Sequence, residues 1–150
     1  MDLILWRHAE AEPGEPDLGR RLTSKGLKQA ERMGEWLDRY LPDGTRIIAS
    51  PADRAQQTAQ ALDRKFKTVA ELSPGATVTA VLAAVNWPES REPVLVVGHQ
   101  PTLGMVASFL LSGEEAYWSV RKGAVWWLSN RVKEGGAAVV LKAVQSPEFI

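Results

Sequence analysis

Hydrophobic and polar positions along the chain fall into two alternating patterns. "DLILW" (2–6), "TRIIAS" (45–50) and "PVLVVGH" (93–99) carry short apolar runs with no polar alternation. That is what a strand buried on both faces requires, as in the interior of a parallel sheet. "TVAEL" (68–72) predicts a weaker third strand. Between these runs the period changes. Leu27, Ala30, Gly34, Leu37 and Leu41 recur at spacings of three and four, with Thr23 placed to cap the start, which predicts an amphipathic helix stopped by "PDG". Pro51 suits the first turn of a following helix, where its missing N–H is no loss, and Ala52, Ala55, Ala59, Leu62 and Phe66 supply that helix's stripe. "TVTAVLAAV" (77–85) and "PTLGMVASFLL" (101–111) predict two more helices. The acidic Gly- and Pro-bearing stretch from Glu10 to Gly19 reads as a loop. After Gly113, "GAVWWLSN" and "GAAVVLKAVQ", separated by "RVKEGG", predict an antiparallel hairpin turning at the glycines. The class is α/β: a three-layer sandwich with a mostly parallel central sheet, helices on both faces and a C-terminal antiparallel hairpin.

Composition narrows the function classes. At 150 residues, 45% of them hydrophobic, the chain is expected to fold as one domain over 1–150. Lysine plus arginine equals aspartate plus glutamate at 18 each, so the global field points to neither nucleic acid nor an anionic membrane. The absence of cysteine excludes disulfides, thiolate metal sites and a cysteine nucleophile. The first apolar run is too short for a signal-peptide core or a bilayer span and begins with Asp2, so a cytoplasmic location is expected.

Candidate chemistry sits at the strand ends, where open α/β sheets place their ligands. The first strand delivers Arg7 and His8. The second delivers Ser50 and, one helical turn later, Arg54. The "LVVG" strand delivers His99. The chain's only two histidines thus occupy equivalent positions with two arginines alongside, and if the strands are neighbours these four side chains meet. Phosphoryl transfer fits them. Arginine is a permanently charged fork that grips two phosphate oxygens at once, and neutral imidazole offers a lone pair that attacks phosphorus without a separate base. A phosphate, sulfate or similar anion is the expected occupant. Two histidines without carboxylate ligands at the strand ends argue against a metal site, so no metal and no cofactor are expected.

Four segments carry a family resemblance. "RHAEAE", "LTSKGLKQAERMGEWL", "SPADRAQQTA" and "VLVVGHQPTLG" resemble, in order and spacing, the signature segments of the histidine phosphatase superfamily, the phosphoglycerate-mutase-like enzymes. The similarity runs from residue 2 to about 104. The short chain without inserted caps is most similar to the SixA-like protein phosphohistidine phosphatases. The resemblance implies that His8 is the nucleophile, that Arg7 and Arg54 bind the phosphoryl group, and that His99 is a further donor facing His8. It also implies a phosphate-binding role for Arg20 and for the backbone N–H of Gln100. Larger members of the family carry a glutamate soon after the third strand that protonates an alkoxide. Here that region reads "ELSPGAT", and Glu71 is assigned to the strand. Glu10 and Glu12, in the loop after His8, are candidate proton donors against the plainer reading of them as solvated charges.

The expected activity is removal of phosphoryl groups from protein phosphohistidine through a phosphohistidine intermediate on the enzyme. Two alternatives remain open: a phosphatase for small phosphomonoesters, and a module that binds phosphohistidine or phosphate without turnover. Lys122 is expected to be an ordinary surface lysine. Of the adjacent Trp126 and Trp127, one is expected in the core and the other exposed, because neighbouring strand residues face opposite ways.

Overall fold

The computed structural model describes residues 1–133 and 136–150. In chain order the strands are β1 (Asp2–Arg7), β2 (Arg46–Ala49), β3 (Lys67–Thr68), β4 (Val94–Gly98), β5 (Val125–Lys133) and β6 (Gly136–Gln145). The helices are α1 (Ser24–Tyr40), α2 (Asp53–Gln60), α3 (Val78–Ala84) and α4 (Thr102–Ser112). They build a six-stranded sheet in the order β3-β2-β4-β1-β5-β6. The first three pairings in that order are parallel and the last two antiparallel, as the sequence pattern implies. The turn read at the glycines falls on Glu134 and Gly135, which lie outside the described residues.

The continuous apolar runs are explained by a sheet covered on both sides. On one face Leu3 and Leu5 of β1, Ile48 of β2 and Val94 and Val96 of β4 pack against Val78, Val81 and Val85 around α3 and Leu103, Val106 and Ala107 of α4. On the other, Ile4 and Trp6, Ile47 and Ala49, and Leu95 and Val97 meet Met33 and Leu37 of α1 and Ala55 and Ala59 of α2. Each strand contributes alternate residues to each core, as its pleat requires. Every fully buried Leu, Ile or Val contributes about 1.5–3 kcal/mol relative to exposure.

Local readings differ from the structure at several places. Leu27 lies on the exposed side of α1, and Gly26 and Met33 join Ala30, Gly34 and Leu37 on the buried side. Pro51 precedes α2 instead of opening it. Ala52 is the N-cap residue, because the chain stays extended until it has cleared the sheet. α2 stops at Gln60, so Phe66 packs on the core from a connection and not from the helix. "TVAEL" is mostly not strand: β3 keeps only Thr68 of it, and Ala70–Leu72 form a 3-10 turn that buries Leu72. A second 3-10 turn, Asp17–Gly19, interrupts the loop after β1. Trp126 and Trp127 point to opposite faces, and both are covered. Trp127 is buried with its indole N–H donating to the Asp2 carboxylate at 2.9 Å, and Trp126 packs half-buried against the other core. Among the described residues no helix is long and apolar enough to cross a membrane.

Candidate active site

Register brings the two histidines together. Arg7 of β1 pairs with Gly98 of β4, so His8 and His99 leave adjacent parallel strands side by side. Their ring centroids lie 5.2 Å apart. His8 is fixed through its backbone. Its N–H donates to Gly98 at 3.0 Å and its carbonyl accepts from Gly123 at 3.1 Å. The next N–H, of Ala9, donates to the Thr58 hydroxyl at 3.1 Å, and that hydroxyl donates to the Arg54 carbonyl at 2.8 Å. One buried threonine thus ties the loop after His8 to the helix that carries Arg54.

Glycine at position 26 lets α1 start against that loop. A Cβ there would collide with the Glu10 carbonyl. Thr23 caps the helix by accepting from the Gly26 N–H at 2.9 Å and donates to the Glu10 carboxylate at 2.8 Å.

The side chains converge on a pocket of ≈ 200 Å³ lined by Arg7, His8, Arg20, Arg54, His99 and Lys122, with Ala11, Pro74 and Gln100 at its margin. Lys122 is an exposed lysine, as its sequence context implies, and it also lines the pocket. The segment from Val120 to Ala124 is tied to β1 by bonds from Arg7, Trp6 and Gly123, and this carries the lysine to the pocket rim. Arg20 is also at the rim, its Nε donating to the Glu12 carbonyl at 2.7 Å. Gln100, expected to contribute its backbone N–H, borders the pocket, and its side-chain amide holds it there by donating to Trp118 O and accepting from Gly104 N. Glu10 and Glu12 are not in the lining. Glu10 is held by Thr23, and Glu12 faces a separate depression with Pro13 and Pro16. Glu71 sits in the 3-10 turn, not in a strand, and does not line the pocket either.

Asp17 went unnoticed in the sequence. Its carboxylate bridges Arg54 at 3.2 Å and Arg20 at 3.1 Å, and its carbonyl accepts from Arg54 at 2.8 Å. Both guanidinium groups are thereby anchored to one loop residue through their terminal nitrogens. The two arginines hold the Asp17 carboxyl below the usual carboxylate range. Only the polar loop composition hinted at this role, and it did not single out one acid.

The imidazoles are neutral, with assignable tautomers. Burial pushes the His8 pKa down to about 4, reinforced by the charges of Arg54, Arg7 and Arg20 and opposed by its hydrogen bond to Ala9. That bond joins His8 Nδ1 to the Ala9 carbonyl at 2.7 Å. A carbonyl can only accept, so Nδ1 carries the proton and Nε2 keeps its lone pair. His99 is pushed down to about 3, by burial first and then by His8 and Arg54. Its Nε2 lies 2.7 Å from the Ser50 hydroxyl, whose oxygen already accepts from Ala52 N at 3.2 Å. His99 Nε2 is the one acceptor for the Ser50 hydroxyl proton among the described residues, so the serine is assigned as donor and the His99 proton to Nδ1.

Three buried nitrogens have no partner among the described residues: Arg7 Nε, Arg54 Nε and His99 Nδ1. All three belong to side chains that line the pocket. Leaving a buried donor unpaired costs about 1–3 kcal/mol, more for a charged one. A cluster of orphaned donors in a cationic pocket without a lining carboxylate is suited to a tetrahedral oxyanion. No group of three His, Cys, Asp or Glu among the described residues could hold a metal ion.

The model of the histidine phosphatase superfamily (branch 1) matches residues 3–77, half of the chain. The chain belongs to this superfamily. It is SixA-like within the family, and it is a phosphatase. The phosphohistidine phosphatase SixA homologue of Haemophilus influenzae is 32% identical over 126 residues, covering 73% of this chain and 77% of that one. Phosphohistidine phosphatase SixA of Escherichia coli K12 is 29% identical over 123 residues, 76% of each chain. The solved structure of the protein histidine phosphatase SixA complexed with tungstate superposes with a TM-score of 0.82 at 25% identity, covering 99% of both chains. The fold is therefore the phosphoglycerate-mutase-like fold that the four sequence segments imply.

Proposed function

We propose that this phosphatase acts on phosphohistidine in proteins and carries the phosphoryl group on His8. The observation that carries the reading is a pocket rich in cations, holding a neutral imidazole with a free Nε2, in which no lining residue is a carboxylic acid. Such a site binds and attacks a phosphoryl group but offers no carboxyl proton to an alkoxide leaving group. Imidazole needs none, because phosphohistidine protonated on its other ring nitrogen departs as neutral imidazole. The relatives named for phosphohistidine and the tungstate-bound SixA support the same substrate and an oxyanion in the same fold.

In the first step His8 Nε2 forms a bond to phosphorus as the bond to the substrate imidazole breaks. Arg7 and Arg54 hold the equatorial oxygens, and Nδ1–H of His99 donates to them. Positive charge gained by the His8 ring is steadied at Nδ1 by the Ala9 carbonyl. In the second step water attacks phosphorus from the side the substrate vacated, the bond to His8 breaks, and the water's proton leaves with phosphate or to solvent. The protein's part is positioning and stabilisation of charge on the transferring group.

Turnover of a phosphohistidine peptide compared with an alkyl phosphate monoester tests this. Preference for the peptide by orders of magnitude in kcat/KM is expected. Equal turnover would establish a small-ester phosphatase, and oxyanion binding with turnover of neither would establish a binding module.

A further inference from the structure

A second groove, of ≈ 260 Å³, lies between α1 and the C-terminal 3-10 turn Pro147–Phe149. Its charged lining is Lys25, Lys28 and Arg32, with Glu148 opposite and Gln29 and Pro147 between. The three cations recur along one side of α1 at spacings of three and four, and all are exposed. Among the described residues none of them makes an ion pair, whereas Glu148 is already taken by Arg121 at 2.7 Å and by the Ser146 hydroxyl at 2.6 Å. Glu31 and Glu35 of the same helix are not in the lining. The groove therefore presents unneutralised positive charge on a chain whose total charge is zero.

Its position gives that charge a use. Gln29 and Pro147, in the groove's lining, pack against Gly123, where an added Cβ would lie 3.6 and 3.2 Å from them. Gly123 N–H holds the His8 carbonyl, and Lys122 beside it is on the rim of the phosphate pocket. Gln29 also accepts from the Glu10 N–H in the loop after His8 at 3.0 Å. Gly123 and Lys122 thus join the groove's lining to the rim of the pocket, which places Lys25, Lys28 and Arg32 beside the site at which a phosphorylated protein would present its phosphoryl group.

We propose that this groove docks an acidic face of the phosphorylated protein, carboxylates flanking the phosphohistidine pairing with Lys25, Lys28 and Arg32. The inference rests on the phosphohistidine reading and adds the partner's chemistry to it. Nucleic acid is disfavoured because the cations form one short cluster, not a track along a backbone. Such contacts act mainly on encounter and selectivity and are screened by salt.

The test uses two synthetic phosphohistidine peptides of equal length, one with glutamates around the histidine and one with glutamines there. The wild-type enzyme is expected to favour the acidic peptide in kcat/KM by about tenfold at low salt and to approach parity near about 1 M salt. Lys25→Glu with Lys28→Glu is expected to abolish the preference. Lys65→Glu with Lys67→Glu, an equal change of charge at the β3 edge, is expected to keep it. Turnover of phosphoramidate, a small P–N compound, should be unchanged in both variants. Should the charge reversal fold poorly, Lys25→Gln with Lys28→Gln makes the same comparison. Equal use of the two peptides by wild type, or equal loss of preference in both charge-reversed variants, overturns the docking proposal. Failure of wild type to turn over phosphoramidate or either peptide overturns the phosphohistidine reading instead, and the docking proposal with it.

Discussion

Ser50→Ala removes one oxygen atom, and its consequences for the site can be worked through from two hydrogen bonds. The Ser50 hydroxyl, assigned as donor to His99 Nε2 at 2.7 Å, also accepts from Ala52 N–H at 3.2 Å, in a place with no exposed surface. Deleting it leaves two buried polar groups unpartnered at about 1–3 kcal/mol each. A combined loss of about 2–6 kcal/mol lowers Tm by about 4–24 °C for a chain of this size. The catalytic effect is separate. Without the serine as donor, nothing holds the His99 proton on Nδ1, and the tautomer with Nε2–H leaves a lone pair facing a phosphoryl oxygen. Removing a donor of this kind outright costs about 10²–10³ in kcat. Ser50→Ala keeps the ring and scrambles only its tautomer and aim, so a loss of about tenfold in kcat/KM is expected, well short of that for His99→Ala. Steady-state kinetics on a phosphohistidine peptide at a temperature where the variant is folded reads this out. A folded Ser50→Ala enzyme with wild-type kcat/KM would refute the assignment of the His99 proton.

Acid should affect rate and stability in different windows. With His8 titrating at about 4, the acid limb of kcat/KM is expected near that pH and not near 6.5, and a limb at 6.5 would show that His8 is not held neutral by its surroundings. Both histidines have folded pKa values below their unfolded 6.5, so the unfolded chain binds more protons in acid. Stability is thus complete above 6.5 and falls as pH drops towards about 4 for His8 and about 3 for His99, by roughly 3 kcal/mol for His8. Urea titrations across that range check it, and a flat profile would contradict it. Gly26→Ala forces a methyl group into the Glu10 backbone. It is expected to cost about 1–3 kcal/mol and to lower kcat by shifting the loop after His8, as calorimetry and kinetics would show.

The parts of the fold that were legible share one property, which is that a single local signal determined them. β1 and β4 are apolar throughout because both faces are covered, and α1 carries its cap at Thr23. The strand-end logic located Arg7, His8, Arg54 and His99, because parallel neighbours must deliver equivalent residues to one edge. Signals that depend on a distant partner were not legible. Asp17 matters only because Arg54 lies against it, 37 residues away in sequence. Lys122 reaches the pocket only because the chain leading into β5 is pinned to β1. The "TVAEL" segment has strand composition, but at the sheet edge beside β2 only Thr68 of it pairs before Leu72 turns into the core.

Rapid quench of the enzyme with a phosphohistidine peptide labelled on phosphorus, followed by mapping of the labelled residue, tests the central claim most directly. Label on His8 that survives alkali, is lost in acid and is absent from His8→Ala is the expected result. Turnover of the peptide with no label on His8 at any quench time would contradict the account.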